Sequence, residues 1–332
     1  MNSILSRCTI LVLCSLSFAH SINFKSITFA PTICGEKADI QPLSRVWYKS
    51  LIGTHNLQDW FTACSYGKVN FNRQLNIISQ IPIYIACNGS GWRWPSCTGA
   101  LDWHLHEQTY RKAIDLGFSA NDVRINIIKP HFTPNTCTYA GLATLPCSPG
   151  RCATWFNIQN TSHTTSILAL AVHEFGHTFG LKHTTDPTDP MGSGFNMPLC
   201  FAAPSSAILG WSTPILTILV NARYTFGMWH NSTLPPLAIM SRNHVQILSN
   251  SNDTETQTTF ISYRTNIGYD AGLSATFQNK LHIHFAGSGT LITQGVHITN
   301  TYKNIEGLII FVRTGGINIY GMQLSIRVQK IE

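Results

Sequence analysis

Three histidines and one glutamate occur at a spacing that suits a metal-dependent reaction. Residues 173–183 read HEFGHTFGLKH, which matches the pattern HExxHxxGxxH at every specified position. On a helix, His173 and His177 project from one face, so both imidazoles can reach a single ion. Gly180 can adopt the positive φ that ends the helix and brings His183 towards the same ion. Three neutral imidazoles leave one tetrahedral position open, which is typical of a catalytic rather than a structural zinc site.

Glu174 follows the first of these histidines and is the candidate general base. Zinc lowers the pKa of water towards roughly 7, and an adjacent carboxylate can take the water's proton as it attacks a carbonyl. Hydrolysis of an amide suits this arrangement best, although the spacing alone leaves a non-peptide substrate open. In a chain of this composition, the five specified residues coincide by chance with a probability of roughly 10⁻⁵ to 10⁻⁴. Histidines placed for packing explain neither the glycine nor the third histidine.

A methionine follows the third histidine in a setting rich in turn-forming residues. Met191 lies eight residues beyond His183, within the sequence DPMGSG. Residues 173–191 resemble the metzincin metallopeptidases, in which a methionine in a tight turn forms an apolar floor beneath the zinc ligands. The resemblance implies that Met191 is this turn residue, that the three histidines bind one zinc ion and that Glu174 is the base.

A second set of motifs resembles, more narrowly, the gametolysin family of algal proteases that lyse the cell wall. These motifs are Ser65-Tyr66-Gly67, Leu209-Gly210-Trp211, Ile261-Ser262-Tyr263-Arg264 and Gly268-Tyr269-Asp270. The resemblance implies a zinc endopeptidase that acts on extracellular or cell-wall glycoproteins.

The chain departs from the family patterns in two places. Some metzincins have a tyrosine shortly after the turn methionine that helps to stabilise the tetrahedral intermediate, but here Gly, Ser, Gly and Phe follow. No oxyanion donor other than zinc is therefore assigned. Residues 31–35 resemble the latency segment of matrix metalloproteinases, which makes Cys34 a candidate thiolate switch. A disulfide at Cys34 is favoured over this switch, because a free Cys34 would leave another cysteine without a partner.

The N-terminus has the features of a secretory signal sequence, which we assign to residues 1–19. Arg7 precedes an apolar stretch too short to span a bilayer, and Ser17-Phe18-Ala19 resembles a cleavage site. No later segment has the ~18 uninterrupted apolar residues of a membrane helix. We therefore expect a secreted, extracellular protein.

The eight cysteines outside the signal sequence, an even number, suit disulfide bonding. The sequons at Asn88, Asn160, Asn231 and Asn252 permit glycosylation.

The mature chain divides where the cysteines end. Residues 20–60 form a short N-terminal segment, either a pro-segment or a first strand. Residues 61–215 are predicted to be an α+β catalytic domain, a twisted mixed sheet with an active-site helix. Residues 216–332 are predicted to be an all-β, antiparallel, sandwich-like domain. Within the catalytic domain the patterns predict strands at Ile81–Cys87, Arg124–Lys129 and Ala153–Gln159 and helices at His106–Leu116 and 162–179. The last of these strands is the candidate edge along which a peptide substrate would extend.

The composition narrows the classes of partner. Charged residues make up 11% of the chain, and the net charge of +7 is scattered, so a nucleic-acid-binding protein is disfavoured. We expect a protein or peptide substrate and a monomer. The main alternative is a catalytically silent binding or coat protein of the same fold, whose β domain binds a glycan or a partner. Glu174 argues against it, because a zinc-binding scaffold does not require this base.

Several other residues have weaker patterns. His282 and His284 would share one face of a strand, but solvent-exposed sheet histidines are favoured over a second metal site. Asp186 and Asp189 permit a calcium ion, although capping of the turn explains them equally well. Structural interpretations are also favoured for His104, His106, His131, His163, Trp92, Trp94 and Trp103.

Overall fold

The structure is a computed structural model that describes residues 21–47, 56–86, 99–130, 139–158, 164–192, 197–220, 227–249, 257–286, 291–292, 300–305, 308–318 and 321–330. The predicted signal sequence, His131, His163, Trp92, Trp94 and the sequons at Asn88, Asn160 and Asn252 lie outside these ranges. Asn231 is exposed on a strand. Within the described ranges, no helix is long and apolar enough to cross a membrane.

The N-terminal region, residues 21–212, combines a mixed sheet with helices. Its helices are α1 (Gln41–Trp47), α2 (Leu57–Cys64), α3 (Gly99–Asp115), α4 (Thr164–Thr178) and α5 (Ala203–Ile208). Its strands are β1 (Ile22–Asn23), β2 (Ser26–Phe29), β3 (Thr32–Ile33), β4 (Glu36–Lys37), β5 (Val69–Asn70), β6 (Asn76–Ile78), β7 (Tyr84–Ile85), β8 (Arg124–Ile128), β9 (Gly141–Ala143) and β10 (Ala153–Phe156). The main sheet has the order β6-β2-β8-β10-β9, and two small sheets, β1-β5 and β4-β3-β7, accompany it.

The edge of the main sheet differs from the sequence prediction. The predicted edge strand is β10, but β10 pairs with β8 on one side and with β9 on the other. All four residues of β10 are buried, as expected for an interior strand covered on both faces. The edge is β9, which runs antiparallel to β10 and is only partly buried. The assignment of Ala153–Gln159 as the edge strand was therefore wrong.

The bounds of other strands and helices in the N-terminal region also differ from the sequence prediction. Residues 26–29 form the strand β2, which lies between β6 and β8, so this part of segment 20–60 belongs to the sheet. The strand predicted at 81–87 is described as far as residue 86, and within that part only Tyr84–Ile85 pairs, since Pro82 lacks the N–H that a longer ladder needs. The helix predicted from His106 begins seven residues earlier, at Gly99.

An aromatic core lies beneath α4. Phe175 on this helix contacts Phe24, Trp47 and Phe61, with ring centroids 5.0, 5.6 and 6.2 Å apart. A disulfide between Cys64 and Cys200 connects α2 to the segment before α5. It closes a loop with a sequence separation of 136, which in the chain-entropy account stabilises the fold by about 5 kcal/mol. The helix that carries the motif is thus fixed on a densely packed base.

The C-terminal region, residues 213–330, consists of two sheets with a shared apolar core. Its strands are β11 (Thr213–Val220), β12 (Trp229–Leu234), β13 (Arg242–Ser249), β14 (Gln257–Arg264), β15 (Lys280–Ala286), β16 (Leu291–Ile292), β17 (Asn300–Ile305), β18 (Leu308–Asn318) and β19 (Gly321–Lys330). The sheet orders are β11-β13-β14-β15-β16 and β12-β19-β18-β17. Alternate residues of both sheets form one buried cluster that includes Val245, Ile283 and Ile326.

The sequence predicted a wholly antiparallel sandwich, but one pair of strands is parallel. β11 and β13 pair in parallel, because the chain crosses to the second sheet as β12 before it returns as β13. Packing also continues across the predicted boundary at 215. Leu237 and Phe260 of the C-terminal region belong to the same buried cluster as Trp60 and Phe201 of the N-terminal region. The two regions therefore share part of a core.

Candidate metal centre

Helix α4 and the turn after it bring the three histidines together. His173, Glu174 and His177 lie on the last two turns of α4. Gly180 has a φ of 97°, and the N–H of Leu181 donates to the carbonyl of Gly176 at 3.0 Å. This pattern is the glycine-terminated helix end that the sequence predicts. The chain then reverses and places His183 opposite the helix.

The three imidazoles converge on one point. The Nε2 atoms of His173, His177 and His183 are 3.0 to 3.2 Å apart in all three pairings. Zinc–nitrogen bonds of about 2.0–2.1 Å at tetrahedral angles place such nitrogens roughly 3.3 Å apart. Among the described residues, this is the one group of three or more His, Cys, Asp or Glu side chains that could share an ion. His183 is exposed, so the site is open to solvent on its side.

The hydrogen bonds of the other ring nitrogens fit a metal site. The Nδ1 of His173 is 2.7 Å from the carbonyl oxygen of Pro190, and the Nδ1 of His177 is 2.8 Å from that of Leu181. Each Nδ1 must carry the proton to donate to a carbonyl, which leaves the Nε2 lone pairs free to bind a metal. Burial lowers the pKa of His173 to about 4 and also lowers that of His177. Neutral imidazoles that converge as acceptors are what a zinc ion requires.

Glu174 lies buried beside this group, against the edge strand. Its side chain is 3% exposed, and burial raises its pKa to about 8. A cation at the three histidines would act in the opposite direction and favour the carboxylate. Gly141 on β9 faces this side chain so closely that an added Cβ would lie 2.3 Å from Oε1. A glycine is therefore needed here, and the sequence alone did not indicate it.

Met191 is buried against the helix that carries the first two histidines. It is 0% exposed, and a Cβ added to Gly176 of α4 would lie 2.3 Å from its sulfur. Asp189 holds the turn, because its Oδ1 accepts from the N–H of Met191 at 2.8 Å and its Oδ2 from the hydroxyl of Ser205 at 2.7 Å. Asp186 caps the start of the turn by accepting from the N–H of Thr188 at 2.8 Å. Both aspartates thus form the turn-capping hydrogen bonds that the sequence allows.

For two other features the structure confirms the disulfide interpretation of Cys34, whereas the expected exposure of His282 and His284 was wrong. Cys34 forms a disulfide, so it is not the free thiol that a thiolate switch requires. His282 and His284 are fully buried rather than exposed, and His284 contacts Asp186 through an Nε2–Oδ2 distance of 2.9 Å. The sequence could not show this, because the carboxylate comes from a segment 98 residues away.

Two of the remaining candidates, Trp103 and His106, pack against Trp155. His104 and His106 lie two apart on α3, where side chains at this spacing point in different directions. His106 is buried against Trp155, with ring centroids 6.4 Å apart. Trp103 is partly exposed and also packs on Trp155, at 5.8 Å. These contacts support the interpretation of Trp103 as a packing residue.

Sequence reasoning missed a buried polar group that supports the edge strand. Lys129, which follows β8, donates through Nζ to Asp102 on α3 and to the hydroxyl of Tyr139, both at 2.6 Å. Tyr139 in turn donates to the second carboxylate oxygen of Asp102 at 2.7 Å. Tyr139 lies two residues before β9, so this group fixes the chain that leads to the glycine beside Glu174.

Comparisons with known proteins agree with this geometry. The family model for gametolysin peptidase M11 matches residues 20–319. Autolysin of Chlamydomonas reinhardtii is 27% identical over 187 residues, which are 45% of this chain and 28% of autolysin. The match thus spans less than a third of that relative.

Two solved structures show a distant likeness. Archaemetzincin from Methanopyrus kandleri has a TM-score of 0.33 at 12% identity, covering 58% of this chain and 96% of its own. A chain in the structure of a chaperone–substrate complex has a TM-score of 0.33 at 11% identity, covering 57% of this chain and 33% of its own.

Proposed function

Because the chain belongs to the gametolysin peptidase M11 family, we propose that it is a zinc-dependent endopeptidase of the metzincin type. In this proposal His173, His177 and His183 hold one zinc ion and Glu174 is the general base. The observation that carries it is the triangle of Nε2 atoms, 3.0 to 3.2 Å on each side, next to a buried carboxylate. A structural zinc site would close the fourth position with another side chain, and none of the described residues does so.

The residues of the chain account for the movement of the proton. Zinc bound at the three histidines supplies a Lewis acid that polarises the scissile carbonyl and lowers the pKa of water. Glu174 accepts a proton from the attacking water, whose oxygen forms a bond to the carbonyl carbon. Glu174 then donates that proton to the amide nitrogen as the carbon–nitrogen bond breaks. Water is the single co-reactant, and Glu174 returns to its starting state.

The substrate would extend along β9 rather than along β10. The N–H of Thr144 donates to Ala153, and Ala140 accepts from Asn157, so these residues face the sheet. By alternation, the N–H groups of Gly141 and Ala143 point to the open edge, where an added strand can pair. Gly141 also lies against the base. Replacement of Ala143 by proline removes one outward N–H and should raise KM; an unchanged KM would contradict this path.

A secreted enzyme that acts on extracellular or cell-wall glycoproteins is the most specific form of the proposal. The predicted signal sequence supports it, as do the disulfides Cys64–Cys200 and Cys147–Cys152, which persist in oxidising compartments. The family membership supports the peptide-bond chemistry. Secretion can be checked by expressing the full chain in a eukaryotic host and sequencing the N-terminus of the product in the medium. Retention in the cell with residues 1–19 attached would contradict it.

The decisive test compares the wild-type chain with Glu174→Gln and a matched surface control, Glu107→Gln. Glu107 is exposed on α3 and pairs only with Arg111 among the ion pairs of the described residues. We expect one zinc per chain in all three proteins and chelator-sensitive casein cleavage in the wild type and the control. Glu174→Gln should lose cleavage by a factor of at least about 10².

Two other outcomes would select the alternatives. Bound zinc without cleavage of any peptide by the wild type would favour the silent binding or coat protein. Bound zinc with hydrolysis of non-peptide esters or amides, and no cleavage of casein or gelatin, would favour a different substrate class. Cleavage retained by Glu174→Gln would contradict the assignment of the base.

A further inference from the structure

The motifs that carry the family resemblance meet at the junction of the two regions. Tyr66 donates its hydroxyl to the carbonyl of Leu237 at 2.6 Å and accepts from Asn243 at 2.7 Å. Trp211 packs edge-on against Trp60, with centroids 6.0 Å apart. None of these side chains is near the zinc ligands in sequence. Their position shows that the motifs join the regions, and one of them reaches the metal centre.

Arg264 is a fully buried arginine at the end of β14 with partners in both regions. Its Nε donates to Asp270 Oδ2 at 2.9 Å, and its Nη2 donates to Asp270 Oδ1. The same guanidinium crosses the junction, because Nη1 donates to the carbonyl of Thr188 and Nη2 to that of Cys200 at 2.9 Å. Burial alone would lower the pKa of Arg264, but the charge of Asp270 raises it above its ordinary value. The group therefore stays a cation, and these contacts use four of its five N–H donors.

Thr188 belongs to the turn that orients the first histidine. Residues 184–192, which we call the floor turn, are closed by a hydrogen bond from the N–H of Thr184 to the carbonyl of Met191 at 3.0 Å. Pro190 in this turn accepts from His173 Nδ1 at 2.7 Å. Thr188 is only two residues before Pro190. Arg264 thus fixes the backbone that sets the ring orientation of one zinc ligand.

A second contact from the C-terminal region reaches the same turn. His284 on β15 lies with Nε2 2.9 Å from Asp186 Oδ2, and both side chains are buried. Burial alone would raise the pKa of Asp186, but the hydrogen bond and charge of His284 lower it below its ordinary value. Arg264 and His284 therefore hold the floor turn at two points, Thr188 and Asp186. Both come from strands more than 70 residues further along the chain.

We propose that Arg264 is a positioning residue for the metal centre, and that the C-terminal region forms part of the zinc site through the floor turn. This rests on the proposed function for the identity of the metal. The planar guanidinium of arginine can bind a carboxylate along one edge and two backbone carbonyls along the other. The single ammonium group of lysine cannot make the same set of hydrogen bonds. Partners of metal-binding histidines typically affect metal affinity by about 10–100-fold. Arg264 does not contact His173 itself but holds the turn that contains its partner Pro190. We therefore expect its replacement to weaken zinc binding by about tenfold, at the lower end of this range.

The test uses the full chain as wild type, Arg264→Lys and Tyr66→Phe. Tyr66→Phe is the matched control, because it removes two hydrogen bonds across the same junction, to Leu237 and from Asn243, without touching the floor turn. The zinc dissociation constant is measured by competition with a chelator, at a temperature where circular dichroism shows all three proteins folded. The expected result is about tenfold weaker zinc binding and a lower kcat with little change in KM for Arg264→Lys. Tyr66→Phe should have a lower Tm with zinc affinity and kcat as in the wild type.

The outcomes separate this inference from the proposed function. Wild-type zinc affinity in folded Arg264→Lys, or equal weakening in both variants, would overturn the positioning role. A wild type that binds zinc without cleaving peptides contradicts the proposed function, while the zinc affinities still test Arg264. If Arg264→Lys does not fold, His284→Leu and His284→Gln replace it. Weaker zinc binding in the leucine variant, with rescue by glutamine as a hydrogen-bond donor, would support the inference; wild-type affinity in both would overturn it.

Discussion

Replacing Gly176 by alanine tests whether the packing of Met191 beneath helix α4 is rigid. Gly176 lies inside α4, between the first two histidines, and an added Cβ would be 2.3 Å from the sulfur of Met191. The same Cβ would be 3.2 Å from the ring of Phe201. To restore an ordinary contact of about 3.5–4.0 Å, the sulfur has to move by roughly 1.5 Å. Met191 is fully buried, so this movement displaces its neighbours.

Two effects of opposite sign decide the magnitude. Alanine is more favourable than glycine inside a helix by about 1 kcal/mol, which alone would stabilise the protein. Overpacking of a well-filled core costs about 1–3 kcal/mol, and here the clash also involves a ring that cannot bend. The net expectation for Gly176→Ala is therefore a loss of about 1 kcal/mol in the free energy of unfolding. A methionine side chain is flexible, which keeps the loss from being larger.

Urea unfolding of the zinc-free protein measures this loss, with Gly99→Ala as the matched control. Gly99 begins α3, and a Cβ there meets nothing within 4 Å, so the control should be neutral or slightly stabilising. A double-mutant cycle with Met191→Ala then isolates the contact, and the coupling energy should be at least about 1 kcal/mol. If Gly176→Ala is as stable as Gly99→Ala, or if the coupling is zero, the packing of Met191 is not rigid.

Two further predictions concern the base and the response to pH. Gly141→Ala places a Cβ 2.3 Å from Glu174 Oε1, so kcat for casein or peptide cleavage should fall at least about tenfold while zinc content stays at one per chain; wild-type kcat would contradict the close approach. His244 is fully buried, and burial lowers its pKa from 6.5 to about 4. Its neutral form stabilises the fold fully above pH 6.5, and this contribution of at most about 3 kcal/mol is lost as the pH falls towards 4. The unfolding free energy of His244→Gln should therefore depend less on pH in this range, and parallel curves for variant and wild type would refute the assignment.

The convergence of the three histidines could be predicted from sequence because their geometry is local. His173, Glu174 and His177 are fixed by the period of one helix, and Gly180 is the residue type that ends such a helix. His183 is only three positions after Gly180, so the chain between them has few conformations available. Helix α4 and the strands β8 and β10 were predicted for the same reason, since their apolar patterns repeat over short distances.

The edge strand and the junction could not be predicted, because they depend on contacts between distant segments. The apolar run Ala153–Phe156 suits an interior strand and a buried edge equally well, and only the three residues of β9 decide between them. Arg264 donates to backbone carbonyls 76 and 64 residues away, and a carbonyl acceptor leaves no trace in the type of its residue. The sequence allowed either turn capping or a calcium ion at Asp186, and neither interpretation indicated its partner His284 on β15.

Because of the shared core and the buried Arg264, ligand binding by the C-terminal region should be measured in the full chain rather than in an isolated fragment. If residues 216–332 were expressed alone, Leu237 and Phe260 would lose their apolar neighbours, and Arg264 would lose two of its acceptors. A buried charge that keeps its counterion but not its other hydrogen bonds is destabilised, because each unpaired donor costs about 1–3 kcal/mol. Glycan binding by the isolated fragment would thus report on an altered junction. The full chain with Glu174→Gln, which leaves the junction intact, is the proper protein in which to measure binding separately from cleavage.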